Sequence, residues 1–298
     1  MYGLIYNPVA GGGKGEKLAQ QARAVLEARG IKPRLYATTG VGDPAVKVEQ
    51  ALVDGCEALV CLGGDGTLSE VVEAAVKGQI PLYIVPGGTG NDFARVLHLP
   101  KDPMEALVSQ LDGTPVQTDC GRINGRCFIN IAGSGFDVKV LEKTEELKAI
   151  YPGEKAYRKA LVSVLKNYSP MEAAISIDGG PFENQFLTIV EVANGQYFGG
   201  GMRVAPEADL YDGAFDVILI PRLPKFSLIF LLPLFLFAWH VRLGIARQVR
   251  ARQVTVRSKG MTVNIDGRLE KMDEAVFEIA PGALCLMRPR AGADKDAK

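Results

Sequence analysis

The sequence predicts an α/β half built on a parallel sheet, followed by a mainly antiparallel β half of the sandwich type. Three observations predict it. Apolar runs of strand length alternate with helix-spaced segments over residues 1–120. Glycine-rich turns fall at the carboxyl ends of three of those strands. Over residues 121–290 short β-like runs dominate, separated by Asp178-Gly179-Gly180, Asp212-Gly213 and Asp266-Gly267. Alternating strands and helices imply a parallel sheet with right-handed crossovers. Ligands then collect at the carboxyl ends of its strands.

The first strand covers residues 3–6 and enters Asn7-Pro8-Val9-Ala10-Gly11-Gly12-Gly13-Lys14-Gly15. A helix over 16–29 follows. Strand, glycine-rich loop and helix is the geometry of a phosphate cradle, though GxxxxGK[ST] spacing is absent and a plain flexible turn fits the loop as well. A second strand spans 34–37 and a second helix 43–54. Residues 58–62 read as a buried strand running into Gly63-Gly64-Asp65-Gly66-Thr67, and Leu68, Val71, Val72, Ala75 and Val76 then mark one face of a helix. The glycines let the backbone approach a ligand, and free N–H groups at the helix start favour an anion. Asp65 would repel a phosphate unless a cation lay between them, which implies a divalent ion. A fourth strand over 81–85 ends in Pro86-Gly87-Gly88-Thr89-Gly90-Asn91-Asp92, with a helix over 93–97. A second Asp thus occupies the same strand-to-helix position.

Further along, β-like runs cover 127–132, 173–177, 186–193, 214–220, 253–257, 261–265, 275–279 and 283–287, with a helical insertion at 137–166. Residues 291–298 read as a disordered tail. Lys plus Arg equals Asp plus Glu, 34 each, so net charge makes no case for a nucleic-acid partner. Cys56, Cys61, Cys120, Cys127 and Cys285 lack CxxC spacing and read as reduced thiols. No basic leader precedes the first strand, and the expected location is cytoplasmic.

Gly63 to Thr67 and Pro86 to Ala94 resemble the signature of the diacylglycerol kinase catalytic-domain family, which includes bacterial soluble lipid kinases, sphingosine kinases and ceramide kinases. Asn7-Pro8 matches its first nucleotide loop, and Asn194 to Met202 with Pro206 and Asp212-Gly213 matches its second-domain signature. NAD kinases share GGDGT; the combination with GTGNDFA and NGxxxGGGM points to lipid kinases. The resemblance implies an NAD-kinase/diacylglycerol-kinase-like fold. It also implies ATP- and magnesium-dependent phosphorylation of a lipid hydroxyl, diacylglycerol or similar, in the cleft between the two halves. Carried over by position, Asn7, Pro8, Val9, Ala10, Gly11, Thr38, Gly63, Gly64, Asp65, Gly66, Thr67, Leu68, Ser69, Glu70, Gly88, Thr89 and Asn91 would meet ATP. Asp65 and Asp92 would organise the catalytic magnesium. The family's base lies in a D-G-E stretch; here it is Asp266-Gly267-Arg268. Asp266 is the candidate base and Glu270 a displaced alternative, while a simple hairpin turn fits the stretch equally. Arg268 stands where an acid is usual and could meet a phosphate. Asp209, Asp212 and Ala214 match a structural magnesium loop.

Residues 226–239 are the most apolar stretch, interrupted by Pro233 and followed by Arg242, Arg247, Arg250 and Arg252. It is short of the ~20 residues of a membrane span. Peripheral docking on an anionic bilayer, with Trp239 at the interface, is the expectation; an internal acyl cleft is the close second. An NAD kinase and a non-catalytic nucleotide- or lipid-binding homologue remain as other readings. Oligomeric state is not legible.

Overall fold

The computed structural model describes residues 1–40, 42–151 and 154–289; the tail expected at 291–298 lies outside them. The first half runs β1 (Tyr2–Tyr6), α1 (Ala10–Gly13), α2 (Gly15–Ala28), β2 (Pro33–Ala37), α3 (Asp43–Val53), β3 (Ala58–Gly63), α4 (Asp65–Gly78), β4 (Leu82–Pro86), α5 (Asp92–Val96) and α6 (Pro103–Leu111). β2, β1, β3 and β4 pair in parallel in that order. β3 is buried at every position, as expected for a central strand covered by helices on both faces. α4 ends on Gln79 in the left-handed conformation at φ 51°. α6 starts on Asp102, which accepts the Met104 and Glu105 N–H groups and is followed by Pro103 at a position suited to a helix start.

The second half comprises β5 (Thr114–Ile123), β6 (Arg126–Phe128), β7 (Ile131–Gly135), α7 (Phe136–Lys148), α8 (Glu154–Lys166), β8 (Met171–Ile177), β9 (Glu183–Ala193), β10 (Tyr197–Phe198), β11 (Met202–Arg203) and β12 (Phe215–Pro221). A 3₁₀ turn (Lys225–Phe230) leads to α9 (Leu231–Leu236) and α10 (Trp239–Arg242), then β13 (Arg247–Ala251), β14 (Gln253–Ile265) and β15 (Arg268–Arg288). Residues 253–257 and 261–265 form one strand, with a register shift between Arg257 and Met261. Residues 275–279 and 283–287 likewise join in β15, which shifts register against β5 between Ala280 and Leu284. The run 127–132 is divided between β6 and β7, and the insertion 137–166 is a helical hairpin.

β15 joins the halves: it pairs with β14 and β5, and through Leu286 with Leu82 of β4. That parallel contact is brief, so a side chain completes the strand. Buried Gln110 donates to Ile84 O at 2.7 Å and accepts the Ile84 N–H at 2.9 Å. Between the β layers of the second half, Phe128 stacks on Phe215 at 5.7 Å and meets Phe277 edge-on at 6.2 Å. All three are among the largest fully buried side chains.

Phe128→Ala removes the shared member of this triple. The expected loss is about 3–5 kcal/mol of unfolding free energy, read as a lower denaturant midpoint at unchanged slope. A loss below about 1 kcal/mol would show that these layers do not pack as described.

Candidate active site at the glycine turns

The turns after β3 and β4 lie backbone against backbone. A Cβ on Gly88 would sit 2.6 Å from the Gly64 Cα, and one on Gly64 would sit 3.1 Å from the Gly88 Cα. The Gly87 N–H donates to Gly63 O at 2.9 Å. Only glycine permits this approach. It brings the start of α4 beside the start of α5.

Asp65, the first residue of α4, then acts across the gap. Its Oδ2 accepts the Asp92 N–H at 3.1 Å and its Oδ1 the Phe93 N–H at 3.2 Å. A carboxylate from one turn thus holds the helix start of the other, where N–H groups lack partners of their own. Asn91, with φ 49°, closes the second turn by bonding both the N–H and the O of Gly88. α4 uses Gly64 O to accept from Thr67 and Leu68, so its first amides remain directed at the turn mouth.

Asp92 is buried. Its Oδ2 accepts the Gly200 N–H at 2.8 Å. Its Oδ1 is buried without a hydrogen-bond partner, with Arg95 Nε at 4.0 Å. Burial and then the neighbouring Asp65 raise its pKa, against hydrogen bonds from Gly200 and Gly201 and the charge of Arg95. Gly90 lies beside both acids: a Cβ there would be 3.1 Å from Asp65 Oδ2 and 3.7 Å from Asp92 Oδ2. An orphaned carboxylate oxygen next to a second carboxylate fits a hard cation, which would remove the cost of burying Asp92. Among the described residues no group of three or more His, Cys, Asp or Glu side chains forms a protein-only metal cage.

Asp266 occupies the β14–β15 hairpin tip at φ 47°. Its Oδ2 accepts the Ile129 N–H at 2.7 Å, and its Oδ1 accepts Asn130 and Ile131 at 3.0 and 3.1 Å. Burial pushes its pKa up to about 6, opposed by these bonds and assisted by Asp65. The turn is therefore also a clamp on the β6–β7 link. A carboxylate offers about four acceptor positions, and three are taken by these amides. Glu270 is instead paired with Arg126.

The other expected residues fall as follows. Asn7 Oδ1 accepts the Val9 N–H at 3.1 Å and shapes the first loop. Ala10 and Gly11 open α1, and Val9 is exposed. Thr38 is buried, its N–H on Tyr6 O at 2.8 Å. Leu68 turns into the core, so only its backbone could face a nucleotide. Ser69 is buried and Thr89 exposed. Glu70 Oε2 accepts the Gly42 N–H at 2.6 Å, and its Oε1 lies 2.8 Å from Arg268 Nη2. In the proposed second metal loop, Asp209 accepts the Tyr211 N–H and Asp212 the Ala214 N–H. Asp212 also pairs with Arg250, which removes Arg250 from the cations free to meet a membrane.

Three partners escaped the sequence reading: the Gly200 amide, the Ile129–Ile131 amides and buried Asp119. The last accepts Gly213 and Gly282 N–H groups at 2.7 and 2.8 Å and ties the loop at 209–214 to β15. Backbone amides leave no residue signature; only the glycine run around Gly200 hinted at one.

The family model described as diacylglycerol kinase catalytic domain matches residues 1–123. The model described as YegS C-terminal NAD kinase beta sandwich-like domain matches residues 130–288. The chain is 32% identical to a diacylglycerol kinase of Mycobacterium tuberculosis over 97% of its length and 95% of that relative. It is 35% identical to a Pseudomonas aeruginosa chain named "Probable lipid kinase YegS-like", over 91% and 90%. A Bacillus anthracis diacylglycerol kinase structure superposes with a TM-score of 0.72 at 20% identity, covering 97% of each chain. An Archaeoglobus fulgidus NAD kinase solved with ATP superposes at 0.55 and 14%, covering 97% of this chain and 94% of that one. These two likenesses bear on the fold.

Gly88→Ala should cost about 1–3 kcal/mol, because the methyl meets backbone that cannot yield. Gly66→Ala, whose Cβ meets nothing within 4 Å, should leave stability unchanged. Equal denaturation midpoints for the two variants would contradict the close contact of the turns.

Proposed function

Taking as premise that the chain belongs to the diacylglycerol kinase family and is a kinase with an alcohol acceptor, we propose that it transfers the γ-phosphoryl group of ATP to the hydroxyl of diacylglycerol or a similar lipid. In this reading residues 1–120 hold the nucleotide and 121–290 the lipid, with the reaction at the cleft between them. The observation that carries it is the Asp65 clamp. It joins one glycine turn to a second whose Asp92 has an oxygen without a hydrogen bond, which supports a phosphate and cation site there.

The amides at the start of α4 and the glycine loop after β1 bind and orient the phosphates. Asp65 fixes the relative position of the two turns. Asp92, with Asp65 beside it, would hold magnesium, which when bound supplies positive charge to the phosphates. Asp266 takes the proton from the acceptor hydroxyl. Phosphoryl transfer asks mainly for positioning and charge compensation, and this arrangement offers both. Asp209, Asp212 and the Ala214 carbonyl are proposed as a separate structural cation loop.

The apolar segment supports docking on a membrane. Among the described residues no helix is long and apolar enough to cross one. Instead the segment has two faces. Leu228 and Phe235 pack into the second-half core, and Ala238 and His240 are buried, with His240 Nε2 2.6 Å from Val204 O. Phe226 at 82% exposure, with Ile229, Phe230, Phe237, Trp239 and Leu243, faces outward. Arg242 in α10 and Arg247 shortly after it are exposed. Large exposed apolar groups together with exposed cations suit an anionic bilayer surface. The cytoplasmic side of that membrane is the proposed location.

Asp92→Asn should lower kcat by about a hundredfold or more with an unchanged circular dichroism spectrum, measured with labelled ATP in diacylglycerol micelles. Transfer to NAD alone, or to no acceptor, would contradict the lipid reading. The kcat/KM profile should fall on the acid side through a limb near pH 6, because Asp266 must be ionised to accept a proton. Asp266→Asn should abolish that limb; a wild-type profile flat from pH 5 to 7 counts against the assignment. In vesicle flotation, Phe230→Glu plus Phe237→Glu should release the protein from anionic vesicles. Unchanged binding would remove this surface from the docking role.

A further inference from the structure

Arg268 is the first residue of β15, in register with Ile265 across the hairpin that carries Asp266. Its Nη2 contacts Glu70, whose side chain is 8% exposed, while Arg268 itself is 37% exposed. Glu70 lies on α4, the helix whose start is the Gly64–Thr67 turn, and its other oxygen holds the Gly42 amide. One buried carboxylate therefore ties together α4, the loop after β2 and the hairpin of the second half. Asp266 sits at the tip of the same hairpin, two residues from Arg268, so the Arg268–Glu70 contact brings that tip against α4.

The acids of the proposed site are Asp65, Asp92 and Asp266. An acid at 268, as the family resemblance would have it, would stand against Glu70 and add to that negative charge. Arginine reverses both effects. Its planar fork has five donors, stays charged, and suits phosphate oxygens in pairs. With Nη2 on Glu70, the remaining fork is fixed rather than free, which lowers the ordering cost of a second contact.

We propose that Arg268 is a phosphate-binding residue of the nucleotide site, held in place by Glu70 and reaching the terminal phosphate from the second half of the chain. This rests on the kinase reading above. In the transfer, the acceptor oxygen bonds to the γ phosphorus as the bond from phosphorus to the β,γ-bridging oxygen breaks. ADP leaves with that electron pair, and the hydroxyl proton passes to Asp266. Arg268 neither gives nor takes a proton; it compensates the charge on the moving group.

The test is calorimetric binding of ATP and ADP, with magnesium, to the full chain and to Arg268→Gln, Arg268→Lys and Glu70→Gln. Arg268→Gln should weaken ATP about tenfold or more and ADP much less, since a charged hydrogen-bond partner of the terminal phosphate is lost. Arg268→Lys should recover part of the ATP preference, and Glu70→Gln should reduce it less than Arg268→Gln does. Equal weakening of ATP and ADP, or none, overturns the assignment and leaves Arg268 as an interlobe ion pair. Failure of the unmodified protein to bind either nucleotide overturns the kinase reading, and this inference with it.

Discussion

The contact of Gly64 with Gly88 is the constraint on which the site depends. Two strand-to-helix turns can share one phosphate pocket only if their backbones nearly touch. Glycine makes that possible, and Asp65 makes it specific by accepting the first amides of α5. A buried carboxylate is costly unless its oxygens are satisfied. Asp65 meets that condition within the protein. Asp92 does so for Oδ2 alone. The two carboxylates therefore differ: both oxygens of Asp65 accept amides of α5, whereas Asp92 Oδ1 has no hydrogen bond and only the Arg95 guanidinium at 4.0 Å.

The second half reaches the candidate site residues through backbone as much as side chain. Gly200 donates to Asp92, and the Ile129–Ile131 amides converge on Asp266. Long β15 carries this geometry to the parallel sheet by way of Leu286 and Leu82. Displacing the hairpin tip would therefore alter Asp266, the Glu70–Arg268 pair and the β6–β7 link together. Such coupling suits a site that must align groups from both halves.

Much of this was legible in the sequence. The strand-turn-helix rhythm placed β1 to β4, α2, α3 and α5 within one or two residues and marked one face of α4, because periodicity and glycine punctuation act locally. The two Asp-bearing turns were visible for the same reason. Strand continuity was less so: Ser258-Lys259-Gly260 reads as a turn, with Gly260 at φ 64°, yet β14 passes through it by a register shift. β13 reads as a basic patch, but it is a charged edge strand paired to β12. The apolar stretch has two faces, Phe235 buried and Phe237 exposed, and a left-handed Ala238 at φ 54° separates α9 from α10, a break that an unbroken apolar run does not reveal. Contacts such as Gly200 to Asp92 and Arg268 to Glu70 join residues far apart in the chain through groups that no local pattern marks.

Anomalous diffraction from crystals grown with manganese and a non-hydrolysable ATP analogue decides whether the two turns hold a cation and a nucleotide together. The expected result is a manganese peak at Asp92 Oδ1, with the phosphates on the amides at the start of α4. A nucleotide bound elsewhere, or phosphates in the turn with no cation at Asp92, would contradict it.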